Sequence, residues 1–169
     1  MALHIRLLAA QDIQPIAAAF LALGWNKPAS QYERYLAEQE AGTRTIFVAL
    51  IDDVFAGYVT INWQSSYPSF QAENIPEIQD FNVLPHLRRQ GIGNRLMDEA
   101  EKTVAERFPV VGIGVGLFAD YGSAQRMYAQ RGYIPDGLGL FNGERFLKYG
   151  DQAIVDNDLT LQFTKRLNS

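Results

Sequence analysis

Residues 81–97 read FNVLPHLRRQGIGNRLM, and the fold prediction starts from this stretch. A strand-like pattern ends at Pro85, a basic turn with glycines follows, and a helical pattern begins inside that turn. Such a junction directs several backbone N–H groups and the positive end of a helix dipole to one place, which suits a phosphate group. Arg88 and Arg89 in the turn can add charge-assisted hydrogen bonds. The stretch therefore predicts a site for a phosphorylated ligand.

Two glycines in this turn, Gly91 and Gly93, would let a phosphate approach the backbone closely, because neither carries a Cβ atom. Two other phosphate-binding motifs do not fit. A P-loop requires Gly-Lys-Ser/Thr, but Asn94 follows Gly93, and a dinucleotide fingerprint requires a third glycine where Leu96 stands. Taken alone, the turn is also compatible with an ordinary strand-to-helix loop that carries surface arginines.

Two segments carry a family resemblance. Residues 88–93, RRQGIG, resemble the Arg/Gln-x-x-Gly-x-Gly/Ala pyrophosphate loop of the GNAT superfamily of acyl-CoA N-acetyltransferases, and residues 83–85 resemble its Val-x-Pro strand exit. Residues 124–133, AQRMYAQRGY, resemble its Ala-x-x-x-Tyr-x-x-x-Gly-Phe signature. The resemblance covers residues 77–135, and elsewhere it extends only to the order of the elements.

The resemblance implies that the chain binds acetyl-CoA as a co-substrate and needs no metal. The residues implied for the pyrophosphate are Arg88, Arg89, Gln90, Gly91, Ile92, Gly93 and Asn94. The pantetheine would lie between strands at 77–83 and 111–117, and a backbone N–H between Phe81 and Val83 would bind the thioester carbonyl.

The sequence departs from the family at one position. The family often has an asparagine where Tyr121 stands, and that asparagine contacts the pantetheine or orders the loop. Its role here falls to Asp120, Ser123 or a backbone group.

Glu77 is the first candidate for the general base, because an amine acceptor is mostly ammonium at neutral pH and must lose a proton. Strand alternation places Glu77 on the same face as Phe81 and Val83. Asp80 is the second candidate, since a bulge would change that alternation. The other interpretation of Glu77 is an exposed residue at the strand entry. Tyr128 resembles the family tyrosine that protonates the leaving thiolate, and its other interpretation is a packed core tyrosine.

Composition narrows the class of protein. The chain has 169 residues, a hydrophobic fraction of 47% and a formal net charge of -4, which predict one acidic globular domain over residues 1–169 without general affinity for nucleic acid. It has no cysteine, which excludes disulfides and an acyl-cysteine intermediate. The apolar stretches are too short to span a bilayer and the first residues do not show the pattern of a signal peptide, so we expect a cytoplasmic protein with no membrane partner.

The order of elements predicts an α/β (α+β) fold with a mixed, mostly antiparallel twisted sheet, a central βαβ crossover and helices on both faces. The predicted strands are 3–8, 45–51, 56–63, 77–83, 111–117 and two more ending near residue 165. One predicted helix follows Asp12, and a second spans residues 31–40 after a capping box at Ser30. A third continues from the glycine turn, and a fourth spans residues 123–131. Residues 65–74 are predicted as a loop.

The strand at 111–117 reads VGIGVGL, which places Gly112, Gly114 and Gly116 on one face. Glycine weakens a strand, so something is expected to approach that face closely. Either the pantetheine arm or a neighbouring element of the protein would lie there.

These observations favour an acyl-CoA-dependent N-acetyltransferase. The leading hypothesis is direct acetyl transfer, in a ternary complex, to a primary amine of a small molecule, with Glu77 and Tyr128 as catalytic residues. The alternatives are acetylation of a protein N-terminus or lysine, and a CoA-binding sensor without catalysis. A homodimer is compatible with the family.

Overall fold

The computed structural model describes residues 2–168, in which seven strands and five α-helices succeed one another along the chain. The strands are β1 (Leu3–Leu7), β2 (Arg44–Ile51), β3 (Val54–Asn62), β4 (Glu77–Val83), β5 (Val110–Gly116), β6 (Ile134–Phe141) and β7 (Thr160–Arg166). The helices are α1 (Ile13–Ala22), α2 (Ala29–Glu40), α3 (Pro68–Glu73), α4 (Ile92–Ala105) and α5 (Gly122–Gln130).

The chain forms two compact units. The first unit comprises residues 2–63 and 78–103, and the second comprises residues 64–77 and 104–168. The single domain expected from chain length therefore stays a prediction. Within residues 2–168, every helix is too short or too polar to cross a membrane.

In the first unit the strands lie in the order β1-β2-β3-β4, and β2 pairs antiparallel with both β1 and β3. Asp52 and Asp53 connect β2 to β3 with φ angles of 48° and 65°. Positive φ at both central residues is the geometry of a type I′ hairpin turn, which matches the twist of the flanking strands. The two strands predicted at residues 45–51 and 56–63 therefore form a hairpin.

Aromatic rings fill the core between the helices and the strands of the first unit. Phe20 of α1 has its ring centroid 5.6 Å from that of Trp25 and meets the Tyr58 ring edge-on at 6.0 Å. Tyr32 of α2 meets Tyr58 at 5.5 Å, and Phe20, Tyr32 and Tyr58 are completely buried. Edge-to-face pairs of this kind add to the stabilisation that burial alone provides. The core therefore fixes α1 and α2 on the sheet of this unit.

In the second unit the strands lie in the order β5-β7-β6, and β7 pairs antiparallel with both neighbours. The register between β6 and β7 shifts between Pro135 and Leu140. The extra residues on β6 form a bulge there, in which Gly137 and Gly139 have φ angles of 84° and 77°. All the strand pairs described above are antiparallel, which confirms the predicted mixed and mostly antiparallel α/β fold.

The glycine face of β5 is covered by side chains of the second unit. Atoms of Phe70, Gln162 and Tyr121 occupy the space into which a Cβ atom would project at Gly112, Gly114 and Gly116, respectively. The pantetheine interpretation of this face is therefore wrong, and the interpretation as a contact with neighbouring elements is confirmed.

Residues predicted as a loop contain helix α3, which is a correction. Pro68 stands at the first helical position, where its fixed φ favours a helix and its missing N–H costs nothing. The helix buries Phe70 and ends at Asn74 in the left-handed conformation, with φ of 54°. A six-residue helix is too short for a periodic hydrophobic pattern to reveal it.

The predicted capping box of α2 is also wrong. The helix begins at Ala29 and its N-cap is Pro28, so Ser30 lies inside the first turn. The backbone of Pro28 is extended, with φ of -74° and ψ of 161°, and its carbonyl accepts a hydrogen bond from the Gln31 N–H at 3.0 Å. The main chain of Pro28 thus starts the helix without a side-chain cap.

We expect Gly57→Ala to destabilise the first unit by about 1–3 kcal/mol, because overpacking between two strands forces a backbone shift. A Cβ atom at Gly57 would lie 2.5 Å from the Asn82 carbonyl oxygen and 3.1 Å from the Val83 Cα atom. Gly122→Ala is the matched control, since its Cβ would meet no atom within 4 Å and its φ is -57°. Urea unfolding measures both, and equal stabilities of the two variants would contradict this prediction.

We expect stability to fall at alkaline pH because of buried tyrosines. Burial and the nearby Asp80 charge raise the pKa of Tyr35 to about 12 and the pKa of Tyr58 well above its usual value. Both folded pKa values are raised, so this contribution is complete below the unfolded pKa of about 10 and is lost as pH rises through the folded values. Part of the rise in tyrosinate absorbance should coincide with the loss of the circular dichroism signal. Ionisation of all eight tyrosines with an intact fold would contradict the prediction.

Candidate active site

The turn between β4 and α4 is tied to the end of its strand. Arg88 Nε donates a hydrogen bond to the Val83 carbonyl oxygen at 3.0 Å. Arg89 and Gly91 have φ angles of 61° and 83°, so the chain reverses tightly before α4 begins at Ile92. Side-chain burial of Ile92, only 2% exposed, anchors the first turn of the helix.

The same turn presents its backbone to solvent. Arg88, Arg89, Gln90 and Gly91 are exposed, and a Cβ atom at Gly91 would have no neighbour within 4 Å. The first N–H groups of an α-helix have no partner within the helix, and they carry the positive end of its dipole. The residues predicted to bind pyrophosphate, from Arg88 to Asn94, therefore form one short segment of the first unit, in which Ile92 is buried and the others are at least partly exposed.

Asp80 interrupts the regular geometry of β4. Its φ is 46°, which is in the left-handed region and breaks the alternation expected for an extended strand. Its side chain is 19% exposed. The carboxylate accepts hydrogen bonds from five side chains of the first unit: Lys27 at 2.8 Å, Gln31 at 2.9 Å, Tyr35 at 2.9 Å, Tyr58 at 2.6 Å and Asn82 at 2.9 Å.

These donors occupy the Asp80 carboxylate fully. An ionised carboxylate has about four lone-pair positions, and here it already accepts five hydrogen bonds. The Lys27 ammonium also lies 5.6 Å and 5.8 Å from the ring centroids of Phe20 and Tyr58, so it is held from several sides. Asp80 as a general base stays a prediction, and this geometry disfavours it.

Glu77 has a different environment. It belongs to the second unit and is only 8% exposed, so the interpretation as an exposed strand-entry residue is wrong. Ser65 Oγ donates a hydrogen bond to Glu77 Oε1 at 2.6 Å and accepts one from the Tyr67 backbone N–H at 3.1 Å. The serine thereby fixes the orientation of a buried carboxylate.

Tyr67 connects this carboxylate to a second one. Its hydroxyl donates to Asp136 Oδ2 at 2.5 Å. Burial, Asp136 and Glu77 all raise the pKa of the Tyr67 phenol, which therefore stays protonated at neutral pH. Ser65 and Asp136 were not singled out from the sequence, because each is one polar residue in a segment without a motif.

Tyr128 lies on α5 in the second unit and is 5% exposed. Its ring centroid is 5.8 Å from that of Tyr133. Burial and the nearby Tyr121 raise the pKa of its phenol, so Tyr128 is protonated at neutral pH. Ser123 is exposed in the first turn of the same helix.

Tyr121, at the position of the family asparagine, has another use. Its hydroxyl donates to Asn157 Oδ1 at 2.8 Å, and its ring covers Gly116. Its side chain therefore packs against the protein itself. Among residues 2–168, no group of three or more His, Asp or Glu side chains is arranged to hold a metal ion.

Comparisons with known proteins agree with this architecture. A structure of an N-acetyltransferase from Staphylococcus aureus Mu50 is 16% identical, covers 99% of this chain and 100% of its own, and has a TM-score of 0.72. The structure of yncA from Salmonella typhimurium, determined with its cofactor acetyl-CoA, is 17% identical, with coverages of 99% and 95% and a TM-score of 0.70. A ribosomal-protein-alanine N-acetyltransferase from Brucella melitensis is 18% identical, with coverages of 97% and 99% and a TM-score of 0.70.

At these identities the solved structures show the fold alone. No curated protein matches the sequence. The model of the Acetyltransferase (GNAT) family matches residues 10–133, which is more than half of the chain and includes both signature segments. The chain therefore belongs to the acetyltransferase (GNAT) family and is an acyl-CoA-dependent N-acetyltransferase.

Proposed function

We propose that this protein transfers the acetyl group of acetyl-CoA directly to a primary amine of a small molecule. The observation that carries this proposal is the buried Glu77 carboxylate, which Ser65 holds at 2.6 Å. A fixed, buried carboxylate is suited to accept a proton from an ammonium group. The sequence has no cysteine, so transfer passes through a ternary complex and not through an acyl-cysteine.

Acetyl-CoA binds, in this proposal, at the turn of the first unit. The arginines Arg88 and Arg89 pair with phosphate oxygens, and the first turn of α4 offers its N–H groups to the pyrophosphate. The backbone at Gly91 is accessible to the pyrophosphate, because glycine has no side chain and no atom lies within 4 Å of its Cβ position. A backbone N–H between Phe81 and Val83 binds the thioester carbonyl oxygen as negative charge develops on it.

The acceptor nitrogen loses two protons in the chemical step. Glu77 takes the first from the ammonium, either directly or through a water molecule, and the free amine attacks the thioester carbonyl carbon. A C–N bond forms, the C–S bond breaks, and the thiolate of CoA receives a proton from the Tyr128 hydroxyl. The second proton of the nitrogen, lost as the amide forms, returns to the Tyr128 oxygen. Tyr128 is protonated at neutral pH, because burial raises the pKa of its phenol, so its hydroxyl has a hydrogen to offer to the sulfur. Ser123, exposed at the start of α5, is the side chain proposed to contact the pantetheine.

We expect Gly91→Trp to abolish detectable acetyl-CoA binding, because an indole would fill the space proposed for the pyrophosphate. Calorimetric titration with acetyl-CoA, CoA and ATP measures this on the wild type and the variant. Gly42→Trp is the matched control, since Gly42 also has a positive φ, of 80°, and no atom within 4 Å of its Cβ position. Equal acetyl-CoA binding by the two variants would show that the pyrophosphate lies elsewhere.

We expect Glu77→Gln to lower kcat about 100- to 10,000-fold while the KM for acetyl-CoA stays unchanged. The amide can still accept the Ser65 hydrogen bond but cannot take up a proton, so folding and cofactor binding are preserved. Thiol release with a panel of small amines and a peptide with a free N-terminus measures the loss. Glu73→Gln, an exposed carboxylate at the end of α3, is the control. A kcat within a factor of three of the wild type would exclude Glu77 as the base.

A further inference from the structure

Strand β4 contains a left-handed residue directly before the backbone to which the thioester contact is assigned. Asp80 has a φ of 46°, whereas residues of a regular strand have a negative φ. One left-handed residue breaks the alternation of a strand, so the N–H groups after it leave the directions that a regular ladder would give them. The next residue is Phe81, the first of the three whose N–H groups are candidates for the thioester carbonyl. The conformation of Asp80 therefore influences where these donors point.

The position of this residue within a strand sets it apart. Among residues 2–168, the other non-glycine residues with positive φ lie in turns or at a helix end: Asp52, Asp53, Asn74 and Arg89. Only Asp80 has this conformation inside a strand. The left-handed region is unfavourable for a residue with a Cβ atom, and such a residue persists there only where its surroundings hold it.

The surroundings that hold Asp80 are the donors to its carboxylate. Three of them lie on α2 and β3 and share Oδ2: Gln31 at 2.9 Å, Tyr35 at 2.9 Å and Tyr58 at 2.6 Å. The Lys27 ammonium donates to Oδ1 at 2.8 Å from the connection before α2. A shift of the Asp80 backbone would take the carboxylate away from some of these donors and leave them unsatisfied. The network therefore selects the left-handed backbone.

The main chain on both sides of Asp80 is tied to strand β3. The Gln79 carbonyl oxygen accepts a hydrogen bond from Thr60 Oγ1 at 2.9 Å. The Leu84 N–H donates to the Ala56 carbonyl oxygen at 2.9 Å. The irregular backbone is thus anchored before and after, and its effect falls on residues 81–83.

The same short segment continues into the pyrophosphate turn. Arg88 Nε donates to the Val83 carbonyl oxygen at 3.0 Å, and Asn82 Nδ2 donates to Asp80 Oδ1 at 2.9 Å. Asp80 thus fixes the start of the segment, and Arg88 fixes its end against the turn. An oxyanion donor acts only within hydrogen-bond distance of the developing charge, so a displacement of about 1 Å in this segment would remove the contact.

We propose that Asp80 is a positioning residue for acetyl transfer. Its carboxylate network holds the left-handed backbone, and this backbone directs an N–H between Phe81 and Val83 to the thioester carbonyl oxygen. Asp80 itself takes no proton and touches no reacting atom. This inference rests on the proposed contact of that N–H with the thioester, and it adds the group that orients the contact.

Three substitutions separate the backbone conformation from the carboxylate. Asparagine tolerates the left-handed region and its side-chain oxygen accepts hydrogen bonds, glycine adopts the conformation without strain but has no side chain, and alanine offers neither property. We therefore expect kcat to decrease in the order wild type, Asp80→Asn, Asp80→Gly, Asp80→Ala. Asp80→Asn should stay within about tenfold of the wild type and Asp80→Ala should lose about 100- to 1,000-fold, the effect of removing an oxyanion donor. The KM for acetyl-CoA should change by less than about threefold, because the pyrophosphate turn is intact.

Infrared spectroscopy of bound acetyl-CoA, isotopically labelled at the thioester carbonyl and without an amine acceptor, measures the contact directly. A hydrogen bond to the carbonyl oxygen lowers its stretching frequency. The wild type and Asp80→Asn should show a lower frequency than free acetyl-CoA, and Asp80→Ala should return toward the free value. Asp53→Ala is the matched control, since Asp53 also has a left-handed backbone, with φ of 65°, and is exposed in the turn between β2 and β3.

Urea unfolding reports the stability of each variant. If Asp80→Ala does not fold, Asp80→Ala combined with Lys27→Met takes its place, because this pair leaves no ammonium without its carboxylate.

The outcomes separate the inference from the reaction on which it rests. A frequency in Asp80→Ala equal to a lowered wild-type frequency would overturn the positioning role and leave the N–H contact standing. Equal kcat values in the three variants would also overturn it, since they would show either a dispensable side chain or a carboxylate that acts by itself. A wild-type frequency equal to that of free acetyl-CoA would exclude the N–H contact, and the positioning role with it.

Discussion

The Asp80 carboxylate is the interaction on which the organisation of the first unit depends. It joins three parts of the chain that are distant in sequence: the Lys27 segment, helix α2 through Gln31 and Tyr35, and strand β3 through Tyr58. A partly buried carboxylate requires such donors, and the donors would in turn be left unsatisfied without it. Asp80 has a left-handed backbone conformation, which is unfavourable for a residue other than glycine, and this conformation directs its carboxylate toward these donors.

Strand β4 carries two carboxylates that lie in different environments. Asp80 is saturated with donors that include an ammonium, whereas Glu77 accepts a hydrogen bond from the Ser65 hydroxyl at 2.6 Å. The same functional group can therefore act as a fixed anion at one position and as a candidate proton acceptor three residues earlier. Environment, and not residue type, separates the two cases.

The sequence predicted those parts of the site whose residues are contiguous in the chain. The turn at residues 88–94 was predicted because its phosphate chemistry depends on neighbouring glycines, arginines and a helix start, all of which are contiguous. The contacts of Asp80 with Lys27 and of Tyr67 with Asp136 join residues that are 53 and 69 positions apart. The periodicity of hydrophobic residues in the sequence does not indicate such long-range pairs. The same reason explains why the covering of Gly112 by Phe70 was not assigned, since it depended on the undetected helix α3.

The bulge in β6 interrupts the strand ladder of the second unit. Pairing with β7 stops after Pro135 and resumes at Leu140, opposite Leu161, so residues 136–139 lie outside the regular ladder. Gly137 and Gly139 adopt the positive φ angles that this insert requires. Side chains at the other two positions of the insert can therefore change while the pairing on either side of it persists, which makes the bulge a segment where the surface of the sheet can vary without loss of the fold.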